Sequence, residues 1–72
     1  GRAVGAQKAL FRAIDEWAKK VGFDPERVKE RVREMLREKY GVESCSQLSV
    51  EQWTEAAAKR AELIRMLEKQ YI

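Results

Sequence analysis

Histidine and asparagine are absent from this 72-residue chain, and cysteine and proline occur once each. With no histidine and only Cys45, a zinc site lacks ligands and the thiol has no partner for an internal disulfide. The same shortage removes the nucleophile–base pairs on which most hydrolases depend. Cys45 is therefore expected to be a small half-buried thiol in a turn. No apolar run approaches the ~20 residues that a membrane span needs, and no charged-then-apolar leader opens the chain. The reading is a soluble protein with no membrane or metal partner and no cofactor, placed by default in the cytoplasm. Four glycines and one proline leave little punctuation. Apolar/polar alternation persists nowhere, so no strand is expected, and neither a repeat nor a low-complexity linker is present.

What the chain does contain is apolar and charged in near balance, 44% and 38% of its residues. That is too apolar and too close to neutral for a disordered tail. A chain of this length has room for one core and buries only ~60% of the surface it exposes when unfolded. Residues 1–72 are read as a single helical domain, and a start at Gly1 rather than Met suggests excision from a longer polypeptide. Abundant Arg and Glu without Asn is the composition of heat-adapted proteins, so a thermophilic source is expected.

Helical periodicity dominates. Leu10, Ile14, Trp17 and Val21, widened by Ala6, Ala13 and Ala18, predict a first helix over about residues 4–21, closed by Gly22. Asp24 is a good N-cap and Pro25 fits the first position of a second helix. Phe23 and Val28 have the spacing of a hydrophobic staple. Val28, Val32, Met35 and Leu36 form its buried stripe, and Gly41 closes it after Tyr40, with Val42 folding back. Residues 42–48 are expected to be irregular or a single helical turn, anchored by Val42 and Leu48. Ser49 and Gln52 make a capping box, and Leu48 with Trp53 a second staple, for a third helix reaching the C-terminus. Its apolar face should run through Trp53, Ala57, Ala61, Ile64, Leu67 and Tyr71. Three such helices predict an all-α, compact three-helix bundle.

Little here resembles catalytic machinery. Glu26, Glu30, Glu34 and Glu38 form an i,i+4 row along the second helix, with Lys29, Arg33 and Arg37 three residues after the first three of them. A salt-bridged, solvated face is the simpler account, each pair contributing a few tenths of a kcal/mol. Glycines are scattered and single, so no phosphate loop exists. The chain is not expected to be an enzyme.

The net charge of +3 permits nucleic-acid binding, and its distribution is more informative than its size. The first helix and its lead-in carry Arg2, Lys8, Arg12, Lys19 and Lys20 against Asp15 and Glu16. The second carries six basic residues against four Glu, whereas the third is balanced. A nucleic-acid surface is therefore expected at Arg12, Lys19, Lys20, Arg33 and Arg37. Helix-turn-helix reading of bases is disfavoured, because the exposed face of the second helix lacks Asn, Gln, Ser and Thr. Among the aromatics, Trp17, Phe23 and Trp53 suit core or staple positions. Phe11 sits at the edge of its stripe and, with Met66, Tyr71 and Ile72, makes a candidate surface for a protein partner or a second copy.

From Phe23 to Ile64 the chain resembles a small helical module of phage and prophage proteins. That module occurs in the phage Mu-type regulatory family and in the C-terminal regions of some phage single-strand annealing proteins. The matching residues are Tyr40, Gly41, Val42, Glu43 and Ser44, then Leu48, Ser49, Glu51 and Gln52. The resemblance implies an accessory module in a DNA recombination, replication or repair protein, with single-stranded DNA the favoured ligand. The alternative is a protein-interaction or dimerisation module, whose partner could be another domain of the same protein.

Overall fold

The computed structural model describes residues 3–71, and every regular element among them is helical. They are α1 (Val4–Val21), α2 (Pro25–Tyr40), a single 3₁₀ turn (Cys45–Gln47), α3 (Val50–Ala58) and α4 (Arg60–Tyr71). Arg2 and Ile72, named above for charge and for a partner surface, lie outside the described residues.

Local chemistry sets each end. Gly22 takes the left-handed conformation at φ 85°, where a side chain would be strained, and the Phe23 N–H donates to the Ala18 carbonyl at 2.8 Å. Asp24 then accepts the Glu26 N–H at 3.0 Å and Pro25 opens α2. At its far end Gly41 (φ 65°) repeats the left-handed ending, and the Val42 N–H donates to Arg37 O at 3.1 Å. Ser44 caps the 3₁₀ turn, and Gln47 returns its side-chain carbonyl to the N–H of Glu43 at 3.0 Å. Ser49 and Gln52 exchange reciprocal bonds of 3.1 and 2.9 Å at the start of α3.

The expected third helix is in fact two. α3 ends at Ala58, Lys59 leaves helical geometry at φ −99° and ψ 21°, and α4 begins at Arg60. No glycine or proline marks the place. Glu62 and Leu63 both donate to Lys59 O, while the Ala57 carbonyl accepts the Arg60 guanidinium at 2.8 Å. A side chain thus takes over an acceptor of the backbone ladder, one of the recognised causes of a kink. The break also corrects the apolar face at one place: Ala61 is exposed and Leu63 turns inward instead, beside the expected Ile64 and Leu67.

α1 is the hub. It packs against α2 along one side and against α3 and α4 along the other, while α2 approaches α3 and α4 less closely. The shared core comprises Leu10, Ile14, Trp17 and Ala18 from α1, Val28, Val32, Met35 and Leu36 from α2, then Leu48, Trp53, Ala56, Ala57 and Leu67. It contains no buried charged residue. Among the described residues, the one buried side-chain polar atom without a partner is the indole Nε1 of Trp17, an omission that costs roughly 1–3 kcal/mol. The expected compact three-helix bundle is therefore corrected to four helices arranged about α1, with a groove left between α2 and α3–α4.

Candidate nucleic-acid interface

At 3.6 residues per turn, Lys8, Arg12 and Lys19 fall on one face of α1, directly opposite Leu10 and Ile14. All three are exposed, as are Gly5, Ala9, Glu16 and Lys20 beside them. Lys20 lies about 80° around the helix from Arg12, on the flank away from α2. The other flank meets α2. There Arg33 lies over the Phe11 ring at 5.2 Å, and Lys29 reaches Asp15 at 3.2 Å. Arg37 stands one turn beyond Arg33 on the same side of α2. The five basic residues expected from the sequence thus border one continuous region: the outer face of α1 and the adjoining flank of α2.

They differ in how free they are. Lys19 pairs with Asp15 at 3.0 Å and Arg33 with Glu30 at 3.2 Å. Lys8, Arg12, Lys20 and Arg37 form no ion pair with any described residue. Of the salt bridges expected along α2, Lys29–Glu26 (3.7 Å) and Arg33–Glu30 form, but Glu34 is taken by Arg31 at 2.9 Å, which leaves Arg37 available. Asp15 sits between two lysines, and their hydrogen bonds, Lys19 first and then Lys29, hold its carboxyl below the ordinary value. It neutralises those two and no others.

Compared with protein-family models, curated proteins and solved structures, the chain matches none. Among the described residues no group of His, Cys, Asp or Glu could hold a metal ion, and no helix is long and apolar enough to cross a membrane. Cys45 is half-buried, with its thiol 3.7 Å from Arg33 O, in keeping with a turn thiol.

Of the residues expected at a partner surface, the three that are described, Phe11, Met66 and Tyr71, do not share one. Phe11 is half-buried, edge-on to Trp53 at 6.0 Å beneath the Arg33 guanidinium. Tyr71 packs on Phe23 at 5.2 Å and Trp17 at 6.5 Å. Met66, 51% exposed, lines the groove between α2 and α3–α4.

That groove, of about 500 Å³, is what the sequence did not reveal. Met35, Leu36, Ala56, Leu63 and Met66 supply its apolar walls, and Arg31, Glu38, Lys39, Lys59 and Glu62 its charged margin. Contacts bridge the two sides. Arg31 donates to the Gln70 side-chain carbonyl at 2.9 Å, and the Tyr40 hydroxyl donates to Glu55 at 2.6 Å. Burial, and then Glu55, push the Tyr40 hydroxyl up to about 12. The bond from Tyr40 in turn holds the Glu55 carboxyl low. This pair fastens α2 to α3 and offers no proton near neutral pH. The only advance signal was an aromatic at a helix end and a Glu 15 residues further on, which no local pattern could have paired.

Proposed function

We propose that this chain is a non-catalytic helical domain that contacts nucleic acid through the outer face of α1 and the adjoining flank of α2. One observation carries the reading: Lys8, Arg12, Lys20 and Arg37 border a single surface and lack anionic partners there. Unpaired cations on a rigid element are free to neutralise phosphates and release the counterions condensed on the nucleic acid. The sequence resemblance supports a setting in a DNA recombination, replication or repair protein. The half-buried Phe11 under Arg33 fits the same picture, since the ring fixes the height and direction of that guanidinium.

The test is a binding titration at low salt with paired charge changes. Lys8→Glu combined with Arg12→Glu is expected to weaken binding at least about tenfold, and Glu16→Gln, which removes an acid from the same face, to strengthen it. Lys69→Glu on α4 should change little. If neither single- nor double-stranded DNA nor RNA binds the parent protein at low salt, the reading is wrong.

The groove favours a second reading, a protein-interaction module, through the exposed Met66 at its lip. Under it, Met66→Glu should abolish association with a partner while leaving nucleic-acid binding intact. Concentration-independent sedimentation as a monomer would remove self-association from that alternative.

A further inference from the structure

We infer that the nucleic acid taken by this face is duplex DNA, gripped by its phosphates, rather than a single strand. The inference rests on the nucleic-acid reading above and concerns the shape and chemistry of the same surface.

The first argument is shape. The outer face of α1 is a convex ridge, with Lys8, Arg12 and Lys19 along the crest over roughly 16 Å of helix axis. Cations stand on both flanks, Lys20 on one side and Arg33 with Arg37 on the other. A helix about 10–12 Å across fits the ~12 Å major groove of B-DNA, whose two phosphate rows would then lie along those flanks. Gly5 and Ala9 add no bulk between the charged positions, and a side chain on Gly5 would meet only open space. The deep, narrow major groove of an RNA duplex does not admit such a ridge.

The second argument is what the surface omits. Proteins that hold single strands combine a basic groove with aromatic rings on which bases stack. Here the rings are turned inward. Trp17 and Trp53 are buried, and Phe11 and Phe23 are half-buried against the core. Tyr40 is tied to Glu55. Tyr71 is 38% exposed but is packed against Phe23 and Trp17. None stands on the ridge. The groove between α2 and α4 has apolar walls and charges of both signs, the wrong lining for a polyanion. The exposed positions of α1 are Val4, Gly5, Lys8, Ala9, Arg12, Glu16, Lys19 and Lys20, with no amide or hydroxyl to read adenine. Affinity therefore comes chiefly from backbone contact at the flanks, and any base preference is confined to guanine beneath the crest cations.

The experiment is fluorescence anisotropy with the whole chain and three labelled probes of about 20 nucleotides or base pairs: mixed-sequence duplex DNA, oligo-dT and duplex RNA. Duplex DNA is expected to bind about tenfold or more tighter than either competitor. With the unpaired Lys20 and Arg37 on phosphates, its affinity should fall at least about tenfold between about 50 and 200 mM salt. Arg37→Ala and Lys20→Ala, one on each flank, should each lower the slope of log affinity against log salt by about one. Equal or tighter binding of oligo-dT or duplex RNA would overturn the duplex-DNA inference and leave the nucleic-acid reading standing. Failure of all three probes would remove both.

Discussion

Replacing Trp53 by alanine is expected to lower folding stability by about 3–5 kcal/mol, enough to unfold much of a domain this small. Trp53 is 6% exposed and sits in the first turn of α3, immediately after the Ser49–Gln52 cap. Its ring meets Phe11 edge-on at 6.0 Å, and Phe11 carries Arg33 on its other side. Three elements converge on one side chain, so truncation opens a cavity that no neighbour can fill without moving a helix. Urea melts followed by far-ultraviolet circular dichroism measure the loss. A change below about 1 kcal/mol would show that the junction of α1, α2 and α3 can repack around the missing ring.

Leu67→Ala is expected to cost about 2–5 kcal/mol, whereas Met66→Ala beside it should stay within roughly 0.5 kcal/mol. The two residues are adjacent in sequence but opposite in environment, at 0% and 51% exposure. Leu67 is the one residue of α4 in the buried core. The contrast therefore tests whether α4 folds with the rest or merely rests on it. Equal, small losses for both variants in the same denaturant series would show α4 to be loosely docked, and the α3–α4 break would then be a true hinge.

Much of this architecture was legible in the sequence because its signals are local. Asp24 with Pro25, Gly41, and Ser49 with Gln52 act on atoms within one turn of themselves, so reading them needs no tertiary knowledge. The buried stripes of α1 and α2 follow equally from spacing. The break at Lys59 was not legible for the converse reason. Residues 55–62 are alanine and charged side chains with high helical propensity, and nothing there opposes a continuous helix. What ends α3 is the demand that Leu67 and Tyr71 reach α1 and Phe23 while Trp53 keeps its place, together with the Arg60 guanidinium bound at Ala57 O. Those are long-range conditions. The candidate site divides in the same way. That α1 and α2 hold the basic excess could be counted, but which cations stay unpaired depended on Arg31 rather than Arg37 claiming Glu34. Helical spacing allows both choices. Phe11 shows the limit from the other side, since its edge position suggested exposure until Trp53 and Arg33 were seen to enclose it.

Phe23 belongs to two helices at once. Its N–H completes the ending of α1 at Ala18, while its ring, packed on Trp17 and Tyr71, precedes the cap of α2. The link between α1 and α2 therefore has almost no length to lose. Little chain entropy is spent in bringing the two helices together, and their mutual contacts lie close in sequence. This hairpin is the segment best placed to form early as the chain folds, with α3 and α4 condensing onto it afterwards. The basic ridge is then carried by the first part of the molecule to acquire a shape.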